Sequence, residues 1–259
     1  MRYPSFVYSV QHDIAKGNIR SVHFNDSSNE HDIHKPHSAI AVDSEYNWFY
    51  LGGSEASSSF FVEQLDSGWR QQMNSAQMVV IFSQNEHWDA VIEAEMKDIL
   101  HPIERYAFTY DSSDKEQAAE ITRQLAQLLP EGYEIAKITP SLIQKSEGFD
   151  EKYIKRFWHT MDNYVQHGFG YCILHEGNSV CECISIAANP DCAEIDIHTA
   201  LPYQRKGLAF LVAQAFIAES LHRGIQPRWD CNAANEASAG LARKLGFVPS
   251  LNYRMWIKS

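Results

Sequence analysis

Leu201-Pro202-Tyr203-Gln204-Arg205-Lys206-Gly207-Leu208-Ala209 joins two stretches of different period. Before it, residues 192–200 alternate, with Ile195, Ile197 and Thr199 interleaved between Glu194, Asp196 and His198, which is the pattern of a strand. After it, residues 207–222 place Leu208, Leu211, Val212, Ala215 and Phe216 on one stripe, which is the pattern of a helix stopped by Gly224. A strand–turn–helix junction of this kind aims several backbone N–H groups, the positive end of a helix and two cations, Arg205 and Lys206, at one spot. Such a spot suits an anion such as a pyrophosphate.

Working outward, residues 149–165 are expected to form one helix carrying Tyr153, Phe157 and Tyr164. Strands at 169–175 and 180–187 join through Glu176-Gly177-Asn178 as a hairpin. Beyond the helix at 207–222 the pattern predicts a strand at 226–231, a helix at 235–245 capped by Asn235 and followed by Gly246, and a closing strand at 253–258. Pro130 and Gly132 punctuate the chain between a helix at 117–129 and a strand at 133–139. This divides the sequence into 1–130 and 131–259. The first region reads as mixed α/β, with strands at 39–42, 48–51, 78–82 and 106–110 and helices at 57–65, 88–100 and 117–129.

The 259 residues are 44% hydrophobic and 12% aromatic, ample for a packed core. No stretch approaches the roughly 18 apolar residues of a spanning helix. The N-terminal residues lack the apolar run of a secretory signal, so a cytoplasmic location is expected. Net charge is −11, and residues 1–130 hold 9 basic against 19 acidic side chains. That balance argues against nucleic acid as a partner and is compatible with attraction of a cation. Cys172, Cys181, Cys183, Cys192 and Cys231 form no CxxC pair and are expected to be reduced and buried. His31-Asp32-Ile33-His34-Lys35-Pro36-His37 holds metal-ligating side chains, but Pro36 prevents a helix from aligning them, and no metal site is expected.

Within residues 133–259, the hairpin, the strand holding Glu194–Thr199, the Gln204…Gly207…Ala209 turn, the strand Arg228-Trp229-Asp230 and the Asn235…Leu245-Gly246-Phe247 helix resemble the acyl-CoA-binding half of GNAT N-acetyltransferases. The phrases EIDIHTALPYQRKGLA and PRWDCNAANEASAGLARKLGF look most like the zwittermicin-resistance-type branch. The resemblance is weak to absent over 1–130. It implies a central mixed sheet with flanking helices, preceded by a smaller α/β region, with acetyl-CoA as co-substrate. By position, the coenzyme would meet the amides of Arg205, Lys206, Gly207, Leu208 and Ala209, the side chain of Gln204, the backbone of Ile197 and Thr199, and the side chains of Asn235 and Ser238. Asn235 serves equally as a plain helix cap, and Arg205 and Lys206 either reach the 3′-phosphate or are simply solvated.

The implied activity is direct transfer of acetyl to an amine of a small, cationic molecule through a tetrahedral intermediate, its oxyanion held by a backbone N–H. Asp196 and His198, two apart on one strand face, are the candidates for receiving the ammonium proton, with Glu182 and Glu194 behind them. Many members carry a tyrosine general acid shortly before the Gly-Phe cap. Ala242 stands there, and Tyr253 is a possible substitute. The departure keeps a second reading open, that of a non-catalytic acyl-CoA-binding or regulatory protein. The aromatic run Tyr46, Trp48, Phe49 and Tyr50 is expected to help line an acceptor pocket.

Overall fold

Strand pairing, more than helix packing, organises this chain. The computed structural model describes residues 21–24, 39–43, 47–52, 58–83, 85–110 and 115–258, so the histidine-rich stretch 31–37 and Tyr46 lie outside the described residues. Two compact units emerge. The first comprises Met1–Tyr106, Cys231–Asn235 and Leu251–Ser259, and the second Ala107–Asp230 and Glu236–Ser250. The division therefore falls at Tyr106, within a strand, and not at the Pro-Gly punctuation near 130. The chain also returns to the first unit twice.

In the first unit, β1 (Ser21–Phe24), β2 (Ala39–Asp43) and β3 (Trp48–Gly52) are successively antiparallel. Next come α1 (Ser58–Gln64) and α2 (Arg70–Ser75). β4 (Val79–Ser83) lies parallel to β3, partnered from Trp48↔Val80 to Leu51↔Ser83. Asn85 caps α3 (Glu86–Met96) by accepting a hydrogen bond from the Trp88 amide. β5 (His101–Tyr110) and the last strand, β11 (Phe247–Lys258), run through both units. The end of β11 pairs antiparallel with β4, from Met255↔Phe82 to Lys258↔Val79.

The core of this unit gathers Phe49, Phe61, Leu65, Met73, Ile81, Trp88, Ile92, Met96 and Trp256. Phe49 is thus a core residue, and Tyr50 is buried with its ring stacked on Phe82, so packing claims two of the four members of the aromatic run expected to line a pocket. One carboxylate lies inside: Asp89, 7% exposed, accepts from Ser83 Oγ at 2.6 Å and from Trp256 Nε1 at 2.7 Å. The acceptor on α3 thereby ties the C-terminal strand to β4.

In the second unit, β6 (Tyr133–Lys137), β7 (Gly170–His175), β8 (Asn178–Ala188) and β9 (Cys192–Thr199) are successively antiparallel. β10 (Gln226–Asn232) is parallel to β9. α5 (Pro140–Ile143), α6 (Glu151–Trp158) and α7 (Met161–His167) follow β6, with α6 packed on β8 and α7 on α6. α8 (Leu208–Arg223) packs on β7, β8 and β9, and α4 (Lys115–Leu128) packs on α8. α9 (Glu236–Lys244) precedes β11. The mixed α/β architecture with a central sheet and flanking helices is as expected.

Three local readings change. The single helix expected at 149–165 is two, because His159 takes φ 60° and Thr160 restarts the chain as a new cap, accepting from Asn163 N. β5 and β11 both begin well before the predicted strands. The cysteines behave as expected: all five are free and buried, and burial pushes the Cys181 thiol up to about 12.

Replacing Asp89 with alanine takes the acceptor from the buried Trp256 indole N–H and leaves the Ser83 hydroxyl only its longer bond to Arg254 O at 3.4 Å. The expected loss is about 2–3 kcal/mol of stability, read from urea unfolding followed by tryptophan fluorescence. An unchanged midpoint would show that Asp89 does not tether β11.

Candidate active site

The ladder between β9 and β10 is short. It runs Gln226↔Cys192, Pro227↔Ala193, Arg228↔Glu194 and stops, although β9 continues for five residues to Thr199. Over that length β9 still pairs with β8, from Ser185↔Ile195 to Cys181↔Thr199. The Ala200 N–H reaches Val180 O at 3.0 Å, which fixes the alternation. Asp196 and His198 therefore direct their backbone groups at β8, while Ile195, Ile197 and Thr199 direct theirs at the side that β10 has left. Ile197 and Thr199, singled out from the sequence, both have their main-chain groups on this open edge. Thr199 O accepts from Gln204 Nε2 at 3.1 Å, and the Ile197 N–H donates to Asp196 Oδ1 at 2.8 Å. On β10, Trp229 is buried, its N–H bonds Ser238 Oγ at 3.1 Å, and its ring packs on Phe247. Ser238, expected at the coenzyme arm, is held by Trp229, and Asn235 falls in the segment Cys231–Asn235 of the first unit.

Past Thr199 the chain makes a 3₁₀ turn, Leu201–Tyr203, and then the predicted loop. Arg205 takes φ 60° and Gly207 φ 80°, both left-handed. At Gly207 this geometry is what demands glycine. A Cβ there would meet nothing within 4 Å, so the space beside it is open to an approaching group. Gly207 O accepts from Phe210 N and Leu211 N, whereas among the described residues no protein acceptor is recorded for the N–H groups of Arg205, Lys206, Gly207, Leu208 and Ala209. These five donors sit at the N-terminus of the 16-residue α8, where the aligned peptide dipoles also favour an anion. Gln204 to Gly207 are exposed, Leu208 is buried and Ala209 is half-buried. Lys206 Nζ stands 4.8 Å over the Tyr203 ring, and the Tyr203 hydroxyl pairs with His175 Nδ1 at 3.1 Å.

The sheet face toward α6 carries Glu182, Asp196 and His198, because Glu182↔His198 and Ile184↔Asp196 are cross-strand partners. Each meets a residue that the sequence reading passed over. Tyr153 of α6 donates its hydroxyl to Asp196 Oδ2. Burial, reinforced by the Asp196 carboxylate, holds the Tyr153 phenol well above the ordinary tyrosine value, so it remains a donor. His198 packs edge-on to Phe149 and lies over Gly148. Glu182, 4% exposed, accepts from Ser146 Oγ at 2.6 Å and Ser179 Oγ at 2.8 Å. The signal for Tyr153 was present as an aromatic at helical spacing from Phe157. Its link to a residue 43 positions away was not. Ala242, at the usual tyrosine position, is fully buried and carries no proton donor, and Tyr253 is buried in the first unit. Among the described residues no cluster of His, Cys, Asp and Glu has metal-ligating geometry.

The fold and sequence have counterparts among known proteins. The sequence profile of GNAT acetyltransferases matches residues 15–256. The chain belongs to the GNAT acetyltransferase family, and it is an N-acetyltransferase. The match runs through both units, wider than the resemblance read over 133–259. A protein of Bacillus subtilis (strain 168) described as an uncharacterized N-acetyltransferase, YdfB, is 29% identical over 253 residues, 98% of this chain and 90% of its own length. A GCN5-related N-acetyltransferase-like protein from Streptococcus suis has the same fold, with a TM-score of 0.68 at 23% identity, covering 92% of this chain and 88% of that one. A tandem GNAT protein from the clavulanic acid biosynthesis pathway is similar at a TM-score of 0.55 and 13% identity, covering 85% and 78%.

At Gly148 the chain comes unusually close to His198. A Cβ there would lie 2.2 Å from His198 Cγ, so Gly148→Ala must displace the imidazole or the loop. The expected cost is about 1–3 kcal/mol. Gly240, in α9 with open space around it, is the control, since alanine there should be neutral or stabilising by about 0.5–1 kcal/mol. Thermal unfolding of both variants measures the difference, and equal melting temperatures would refute the close approach.

Proposed function

We propose that the second unit binds acetyl-CoA and passes its acetyl group directly to an amine of a small cationic molecule. The observation that carries this reading is the set of five N–H groups of Arg205 to Ala209, none of which meets a protein acceptor among the described residues, at the start of α8. They would hold the pyrophosphate, with Arg205 and Lys206 adding positive charge for the 3′-phosphate. Gln204, tied to Thr199 O, fixes the loop to the strand end. The pantetheine arm would run along the open edge of β9 and pair with Ile197 and Thr199 as a missing strand would. The Ile197 N–H would then carry the charge that builds on the acyl oxygen.

The amine would approach from the face that bears Asp196 and His198. One of these takes the ammonium proton, the amine nitrogen bonds the acyl carbon, and the carbon–sulfur bond breaks. The departing thiolate is a fair leaving group and takes up, relayed by water, the second proton that the nitrogen sheds as the amide forms, which fits the absence of a tyrosine at Ala242. A cationic acceptor suits a chain whose residues 1–130 hold 19 acidic and 9 basic side chains. We infer that those residues serve acceptor selection. Ala242 favours one second reading, a protein that binds acyl-CoA without turnover.

Two measurements test this. Calorimetry should show one acetyl-CoA bound per chain, and Gly207→Val should weaken it at least tenfold; the variant should lose about 1–2 kcal/mol of stability to the strained left-handed turn yet still fold, since its side chain meets open space. Coenzyme A release over a panel of polyamines and amino sugars should reveal turnover that Asp196→Asn lowers by about 10²–10⁴. Binding without turnover on any amine would move the protein to the non-catalytic reading. No binding at all would end the proposal.

A further inference from the structure

The hydrogen bond between the Ile197 amide and the Asp196 carboxylate is unusual in its placing. The register turns this N–H toward the open edge, where it lacks a strand partner, and the carboxylate of the preceding residue has folded back to take it at 2.8 Å. The other oxygen of the same carboxylate is held by the Tyr153 hydroxyl from α6. Tyr153 is itself fixed by ring contacts with Phe149 at 5.0 Å and Phe157 at 5.1 Å. A carboxylate held at both oxygens is preorganised, and a charged acceptor binds an N–H more strongly than a neutral carbonyl does.

We propose that Tyr153 is a positioning residue which, acting through Asp196, keeps the Ile197 amide occupied, so that an arriving acyl carbonyl must displace the Asp196 carboxylate from it. The inference rests on the acetyl-CoA reading given above. Two consequences follow from the geometry. The acyl group pays for its place: acetyl-CoA gains less over free coenzyme A than a vacant N–H would give it. Once displaced, Asp196 retains the Tyr153 hydroxyl and turns an oxygen free of the amide toward the α6 face. The carboxylate is then released for the amine only when the thioester is in place, which sets the order of events as thioester first and amine second.

The test needs no knowledge of the acceptor. Acetyl-CoA and free coenzyme A are titrated separately into the full-length protein and its variants by calorimetry, and the ratio of their affinities is compared. Asp196→Ala empties the amide, so acetyl-CoA should tighten about three- to tenfold relative to coenzyme A, the worth of one hydrogen bond. Tyr153→Phe keeps the ring contacts and removes the hydroxyl, so the ratio should move the same way by a smaller factor, about two- to fourfold. Asp196→Asn retains a neutral acceptor and should fall between wild type and alanine. A structural role alone would alter both affinities together and leave the ratio still. A ratio unchanged in Asp196→Ala and Tyr153→Phe, with both ligands still bound, overturns this inference and spares the coenzyme reading. Failure of the wild type to bind either ligand overturns both. Should Tyr153→Phe not fold, the Asp196 pair decides alone.

Discussion

The constraint on which the rest depends is that β9 and β10 begin as partners and part at Glu194 and Arg228. Backbone N–H and C=O groups are rarely left unmet, so a strand that loses a neighbour for five residues needs something to hold each side where it is. On the β9 side the hold is β8, which stays paired through Cys181↔Thr199. On the β10 side it is Trp229, anchored by its N–H on Ser238 and its ring on Phe247. Neither anchor belongs to the chemistry, yet without both the edge would close or fray. The groups left at the edge are answered locally, Thr199 O by Gln204 and Ile197 N by Asp196.

The first unit makes the same point by contrast. It follows the same order as part of the second: three antiparallel strands, a helical segment, a parallel strand and another helix. There the parallel ladder runs from Trp48↔Val80 to Leu51↔Ser83, which brings partners almost to the ends of both strands. Among the described residues that ladder leaves no run of five unpaired positions on β3 or β4, and Phe49, Tyr50 and Leu51 are buried. The fold by itself does not make a site. A few residues of lost pairing do, when a helix start with unmet donors lies at the end of the freed strand.

What was legible in the sequence was local. The loop Gln204 to Ala209, the left-handed glycines at 207 and 224 that open and stop α8, and the alternation along β9 all follow from neighbours within a few positions. The break at His159 was missed because the aromatic stripe continues across it, and nothing in the period shows that a new cap begins at Thr160. The extra length of β5 and β11 was missed because both carry polar residues at positions that only their pairing stabilises. The contacts of Asp196 with Tyr153 and of His198 with Gly148 span 43 and 50 positions, and no spacing rule reaches that far. The bond that Ser238 accepts from the Trp229 indole spans nine positions and was equally out of reach of a local pattern.

Three ionisable groups share the face where an amine would arrive, and their surroundings separate them. Glu182 is nearly sealed and already accepts two hydroxyl protons, so a proton added to it would displace a bond it holds. His198 is confined by Phe149 and Gly148, with little room to follow a moving nucleophile. Asp196 differs from both: it reaches the open edge through the Ile197 amide and α6 through the Tyr153 hydroxyl. A base must reach the proton on the attacking nitrogen. Of the three, Asp196 alone is bonded to an amide on the open edge, and this is the geometric ground for proposing it as the base and Tyr153 as the residue that positions it.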